Sequence, residues 1–489
     1  MRFEDIVAGV LAIVWSPALV GLCLLAGLYF SVRTRFIQLR ALPDMLRLIF
    51  QCRSSASGLS SFQALSMSLS SRVGVGNIAG VAMAIAYGGP GAIFWMWIVA
   101  FLGASTAFVE STLAQIYKVR DAGGMYRGGP AYYIEKGLGQ RWYAVLFAWS
   151  TVLGCGLLLP GTQSNAIVGA LDETWGVSGG WTAAVITVVV GVVIFGGVRR
   201  IAHVAQVVVP FMALGYLLVA ALVMLLNLQA VPEMFLLIVR SAFGGDAAFG
   251  AMLGTAVQWG VRRGVMSNEA GMGSGAHPAA AAEVSHPVKQ GLVQAFSVYI
   301  DTLVVCSATA FLILSAGTYN VYDPGSGGVE MIVAYVPGLE AGPRFVQQAV
   351  ESVLPGFGSA FVALAILPFA FTTILALYYT AETNVVYLGR NRPAPWMLML
   401  FRAGFLAAMV YSAVNTVTVA WSLGDIGVGL MTGLNIVALL LLQKPALAAL
   451  DDYERSRGAG VDPLYDPDLA GERAAGVWRR IAVVHNREG

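Results

Sequence analysis

Charge is what this sequence has least of. Only 11% of its 489 residues are Asp, Glu, Lys or Arg, against about 25% in an average soluble domain. Hydrophobic residues make up 57%, and the mean hydropathy is +0.73. That balance excludes a soluble globular protein and specifies an integral membrane protein, with the lipid bilayer as its first partner. The net charge of +2 gives no sign of a nucleic-acid partner. Histidine occurs four times, too rarely for a multi-histidine metal site. The four cysteines, Cys23, Cys52, Cys155 and Cys306, are scattered in or near apolar runs with no CxxC pair. They read as free thiols, with no disulfide framework and no metal signature.

Long apolar runs are present in number. Residues 8–32 form a first one, long enough to span, since about 20 residues suffice. Glu4 and Asp5 precede it; Arg33, Arg35, Arg40, Arg47 and Arg53 follow. A signal peptide has the opposite polarity, so this is a true first span with its N-terminus outside. Further spans are expected near 60–87, 91–117, 142–168, 181–198, 204–227, 249–278, 290–316, 357–388, 397–415 and 420–443, about eleven in all. Loop charge agrees with that order. Loops predicted inside hold the five arginines above, then Lys118, Arg120, Arg127, Lys136, Arg141, Arg199, Arg200, Lys289, Arg390, Arg392 and Lys444. Outside segments hold Arg2, Arg240 and Arg344 beside Asp172, Glu173, Asp323 and Glu340. This is the positive-inside asymmetry; it places the C-terminus in the cytoplasm. In the 118–141 loop, AYYIEKGLG predicts a short helix on the inner surface. The Gly- and Pro-rich loop 317–356 is expected to cap the outer face.

Two spans are interrupted. LSSRVGVGNIAGVAMAIAYGGPG (Leu69–Gly91) carries Ser70, Ser71, Arg72, Gly74, Gly76, Asn77 and Gly80 inside an apolar segment. Glycine costs roughly 1 kcal/mol against alanine in a helix interior. A broken membrane helix leaves peptide groups that need partners. Packing by small residues accounts for Gly80; it does not account for Gly74-Val75-Gly76-Asn77. The second interruption, FGAMLGTAVQWGVRRGVMSNEAGMGSGAHP, sets Arg262, Arg263, Ser267, Asn268 and Glu269 among glycines 260, 264, 271, 273 and 275. With the first span set aside, the broken spans are the first and sixth of ten. Matching interruptions in two halves point to a transport site between inverted repeats. The expected organisation is an extra helix and linker (1–59), a first repeat (60–248), a second repeat (249–443) and a cytoplasmic tail (444–489).

GVGNIAGVAMAIAYGGPGAIFWMW, GVRRGVMSNEAGMGS and YIDTLVVCSATAFLIL resemble the alanine or glycine:cation symporter family, the sodium:alanine symporters. The resemblance runs from the first span to about residue 443. It implies a secondary transporter of an all-α, leucine-transporter-type, five-plus-five inverted-repeat fold after one extra helix. It further implies a co-transported sodium ion, a small neutral amino acid as substrate, alternating access, and a bacterial-type inner membrane as the location. A monomer is expected.

An amino-acid zwitterion needs donors for its carboxylate and acceptors for its ammonium group. Half-helix N-termini supply the first and unwound carbonyls the second. The backbone of Gly74, Val75, Gly76 and Asn77 is the choice for the carboxylate, and the carbonyls of Met266, Ser267 and Asn268 for the ammonium. In LLLPGTQSNAI, Gln163 and Asn165 lie at membrane depth, with Gln163 placed either to close the pocket or to bond a neighbouring helix. Sodium prefers oxygen ligands, as hard cations do. By the resemblance, carbonyls of Ser70 and Val73 join the hydroxyls of Thr372 and Thr373, unless those threonines bond back to their own helix. Arg72, Glu110, Arg262, Arg263, Glu269 and Asp301 are the intramembrane charges. Of these, Arg72, Glu110, Arg263 and Glu269 are read as a bracing network, with Arg72–Glu110 one candidate pair.

Three positions depart from the family pattern: Val75 for Thr in GTGN, Met266 for Phe before SNEAG, and Ala376-Leu377 for Gly-Trp. The pocket should be more apolar and differently shaped. Trp421 and Asp425 in AWSLGD keep the pattern. Proton coupling through Glu110 or Glu269 is the nearest alternative. An intramembrane metalloenzyme built on His277, Glu283 and His286 is remote, because the two histidines are not at HExxH spacing. A channel would need a continuous polar path, whereas the polar residues gather at two breaks.

Overall fold

The computed structural model describes residues 3–50, 58–245, 249, 252–326, 330–415, 417–459, 461–470 and 476–481. Arg2, Cys52 and Arg53 lie outside the described residues. The chain is helical throughout its apolar segments. Among the described residues, eight helices are long and apolar enough to cross a membrane, or nine when a bent pair is taken as one span. Two small antiparallel ribbons, Val119–Arg120 with Tyr126–Arg127 and Asn320–Tyr322 with Met331–Ala334, sit in connections. Cys23, Cys155 and Cys306 are free.

Burial separates central helices from peripheral ones. Two thirds of the apolar window is buried in Gly91–Ile116 and Pro287–Ser315, but 28% in Gly197–Leu226. The exposed side of the latter carries Phe211, Leu214 and Leu218, a surface suited to lipid and not to water. The central helices pack on the two interruptions.

The first interruption lies between Ser61–Arg72 and Val75–Gly88, which meet at 54°. Ser60 opens the first half with a reciprocal cap: its hydroxyl takes the Gln63 N–H, and the Gln63 side chain takes the Ser60 N–H, satisfying two orphan donors. The half ends at Arg72. Gly74 is extended (φ −133°, ψ −158°) and a single tight turn, Val75–Asn77, leads into Ala79–Gly88. A Cβ at position 74 would meet the Thr373 hydroxyl; a side chain there would have to displace it.

The second interruption follows Leu253–Asn268. Glu269 turns left-handed (φ 55°), as do Gly271 and Gly273, and helix resumes at Ala276–Ala281. Met266, Ser267 and Asn268 therefore stay helical, and the unwound stretch begins one residue after them. They form the last turn, where helix carbonyls have no intrahelical partner. Among the described residues, wider π turns occur at Ile134–Leu138, Gly154–Leu158 and Tyr299–Cys306. Such turns recur at functional sites.

Three sequence expectations need adjustment. The segment after Gly129 is helical (Pro130–Tyr133, then Ile134–Leu138), but Tyr132 and Tyr133 are buried, and Tyr133 bonds to Asn435. It is wedged between helices instead of lying on a surface. The last helix does not stop at 443; it runs Val417–Gly458. Beyond it the chain folds back: Tyr465 N–H bonds to the Ser285 carbonyl, and Trp478 is buried with its indole N–H on the Ile116 carbonyl.

Candidate functional site

The two interruptions share one small cavity. Gly74 and Gly76 of the first, and Met266 and Glu269 of the second, line it together with Gln163 and Thr373. Its volume is about 20 Å³, room for about one water molecule. Larger clefts of about 530 and 240 Å³ lie by Glu135, Arg141 and Tyr387. No residue of either interruption lines them, so size alone does not mark the site.

At the first break the peptide N–H groups are already occupied. Gly74 N–H donates to the Asn77 side-chain oxygen at 2.8 Å, and Val75 N–H to the Gln163 side-chain oxygen at 3.3 Å. Those are donors expected for a carboxylate; here side-chain oxygens stand in its place. Gln163 sits at the cavity. Asn165, two residues on, turns away and donates to the Ser412 and Asn415 carbonyls, a link between helices.

The two threonines part company. Thr373 Oγ1 lies 2.8 Å from the Ser70 carbonyl and 2.9 Å from that of Phe369. It brings its hydroxyl to the first break. Thr372 bonds its own helix at Pro368 and Phe369 and faces Met212. Thr372 is thus not brought together with Ser70 and Val73: adjacent helix positions point about 100° apart, and only one can face the break.

At the second break Ser267 Oγ donates to Asp301 Oδ2 at 2.8 Å, and the Asn77 amide donates to Asp301 Oδ1 at 2.6 Å. One carboxylate, on the π turn of a third helix, touches side chains from both interruptions. Asn268 closes its own helix end, accepting from Ala270 N–H and donating to Thr302.

The charges form two groups. Glu269 takes the hydroxyls of Ser71 and Ser274, tying the second break to the first. Glu110 Oε2 takes the Gly273 N–H at 3.2 Å and the Asn435 amide at 2.9 Å, so it braces unwound backbone. Arg72 donates to the Gln294 carbonyl and the Ser297 hydroxyl. Arg72 and Glu110 form no ion pair; Nη2 of one and Oε1 of the other have no hydrogen-bond partner among the described residues. The second group is Arg262, Arg263 and Asp425. Both guanidinium groups bond the one carboxylate. Arg263 lies between the rings of Trp259 and Trp421, at 5.1 and 5.0 Å, and its Nη1 touches Met266 Sδ at 2.9 Å. Arg263 therefore belongs with Asp425 and not with Glu110 and Glu269.

Asp301 and Asp425 carry more of the site than their sequence context announced. Both are acids inside apolar spans, which is a signal, but their partners lie far away along the chain.

The family model described as the sodium:alanine symporter family matches residues 1–467. The carrier protein YrbD of Bacillus subtilis is 54% identical over 476 residues, covering 97% of this chain and 98% of its own. A protein of Bacillus sp. strain PS3 named sodium/proton-dependent alanine carrier protein is 49% identical, covering 89% and 97%. The Methanococcus maripaludis protein named sodium/alanine symporter AgcS is 35% identical, covering 90% and 95%.

Proposed function

Since the chain belongs to the sodium:alanine symporter family, a family of transporters and not of enzymes, we propose that it carries alanine, or a neutral amino acid of similar size, into the cell together with sodium. The observation that supports this most is the cavity shared by the two interruptions. Half-helix ends supply donors on one side and acceptors on the other, which suits a zwitterion. The substrate carboxylate takes the N–H groups now held by Asn77 and Gln163, and Gln163 swings aside to admit it. The last carbonyls of Leu253–Asn268 take the ammonium group. Met266 limits the side chain. Sodium binds at the Ser70 and Val73 carbonyls with Thr373 Oγ1; Thr372 is not part of that set.

In this reading the bent pair, the shorter Gly179–Ile194 helix and the second broken segment join the eight long helices as spans. The count then returns to about eleven: an extra helix within 1–59, inverted repeats over 60–248 and 249–443, N-terminus outside, C-terminus cytoplasmic.

The test is uptake by proteoliposomes of alanine, glycine, glutamine and leucine, with and without a sodium gradient. Saturable alanine uptake that rises with the sodium gradient is expected. Uptake of none of the four would end the reading. Met266→Phe should reorder the four substrates while leaving sodium dependence in place; an unchanged order removes Met266 from the pocket.

A further inference from the structure

Asp301 is fully buried and makes no ion pair among the described residues. Its oxygens are held by the Asn77 amide, the Ser267 hydroxyl and, at 2.6 Å, the Thr302 hydroxyl. Arg72 is the cation whose field reaches it, and that same guanidinium faces Glu110 and Glu269. One positive charge thus serves three carboxylates at membrane depth, where each uncompensated charge is costly. Something must neutralise the surplus. Of the three acids, Glu269 belongs to the second interruption and Glu110 holds its unwound backbone; Asp301 stands outside both interruptions and is held by a side chain from each.

Resting on the symport reading above, we propose that Asp301 binds a proton as a second coupled cation, separate from the Ser70–Thr373 position. The ligands decide between a proton and an alkali ion. A hard cation needs several oxygens. Asn77 cannot offer one: its oxygen accepts the Gly74 N–H, which fixes the amide and turns its NH₂ to Asp301. Cys306 Sγ, a soft atom, fills another approach at 3.3 Å from Asn77 Nδ2 and 3.2 Å from Ser267 Oγ. A proton, in contrast, has a place. On Oδ2 it donates to Ser267 Oγ, and Ser267 turns its own hydrogen toward Cys306.

The charged and titratable groups around Asp301 are few. Arg72 and Glu269 flank the two breaks, Glu110 stands on Gly91–Ile116, and Cys306 shares the π turn. Arg262 and Arg263 on Leu253–Asn268 are bound to Asp425. While Asn77 and Ser267 both hold it, Asp301 is sealed from water and keeps its proton. When the breaks separate toward the inside, water reaches the carboxyl and takes the proton. A substrate carboxylate at the first break adds negative charge nearby and favours the protonated form. Binding of substrate and of proton then reinforce each other.

The experiment uses the whole chain in proteoliposomes with an internal pH dye, equal sodium on both sides and the voltage clamped by potassium and valinomycin. Alanine added outside should acidify the lumen. Asp301→Asn mimics the neutral acid; the ratio of protons moved to alanine exchanged should fall to zero, whatever its counterflow rate, and Asp301→Glu should restore that ratio. Wild-type protein that exchanges alanine but moves no proton overturns this proposal alone, as does an Asn variant that still acidifies. An Asn variant that keeps proton movement but weakens sodium activation would make Asp301 an alkali-ion ligand instead, also against the proposal. If Asp301→Asn does not fold, Asp301→Glu decides: the changed acid should shift the external pH at which acidification is half-maximal, and an unshifted midpoint overturns the proposal. Absence of wild-type alanine counterflow is a different failure, that of the transport reading itself.

Discussion

Two buried charge clusters stand nearly two helix turns apart in the second interrupted segment, and they are unbalanced in opposite senses. Near Arg263, two guanidinium groups converge on Asp425 in direct ion pairs and aromatic rings cover them. Near Glu269, one guanidinium faces three carboxylates, and every link runs through a hydroxyl, an amide or a peptide group. Direct ion pairs between fixed rings hold a geometry. Hydroxyl-mediated links can exchange partners at little cost, which is what a group that gains and loses a cation needs. The first cluster reads as a clasp, the second as the moving part.

The strongest way to break that contrast is Arg263→Ala. It removes two of the three hydrogen bonds to the Asp425 carboxylate and the guanidinium packed between Trp259 and Trp421, each bond to a charged group being worth about 1.5–3 kcal/mol. A large drop in thermal stability in detergent is expected; a drop no larger than that of a surface variant would dissolve the contrast. Glu110→Gln should cost less, about 1–2 kcal/mol, because the amide oxygen still accepts from Gly273 and Asn435 while one surplus negative charge disappears. A loss as great as that of Arg263→Ala would show the second cluster to be equally rigid.

Thr373→Ala and Thr372→Ala sharpen the same point at the ion. The first removes the hydroxyl that reaches Ser70 and should raise the sodium concentration needed for half-maximal uptake about tenfold, the equivalent of about 1.4 kcal/mol. The second removes a bond within one helix and should leave sodium activation alone. Equal effects would mean that the two side chains are not divided as their hydrogen bonds divide them.

A further expected effect, read as a slope with pH, concerns another buried cation, outside the spans. Lys118 Nζ rests on the Gln115 side chain, the Ala282 carbonyl and the rings of Tyr126 and Trp478. Burial pushes its pKa down to about 7 from 10.5. The unfolded chain therefore binds more protons between about pH 7 and pH 10, so stability rises with pH across that window. Melting temperature in detergent should climb from neutral to mildly alkaline pH, and Lys118→Met should flatten the climb. Identical slopes would remove Lys118 as the cause.

Glycine and asparagine made the first interruption readable before any coordinates, because residues 74–77 combine poor helix formers with a polar side chain in an apolar run. The cavity members Gln163 and Thr373 were readable as polar groups at depth. Rotation about a helix axis was not: nothing in the order of Thr372 and Thr373 says which one faces Ser70. Distant partners were equally silent. Asp301 meets Asn77 across 224 positions and Arg263 meets Asp425 across 162, and only the packing of whole helices fixes such pairs. The second interruption was placed slightly early, since Met266–Asn268 have ordinary helix dihedrals and Glu269, with no glycine's freedom, makes the left-handed turn. Its carboxylate is anchored by Ser71 and Ser274, which compensates the local strain.

Gly74 and Thr373 share a single van der Waals gap. One added methyl at position 74 would displace the Thr373 hydroxyl oxygen, the one proposed above as a sodium ligand. The two sites can therefore vary only in concert, an enlarged residue at one demanding a trimmed one at the other. On the sodium reading proposed above, a protein that made that exchange would seal the ion's berth with hydrocarbon and have to draw its driving force from another ion.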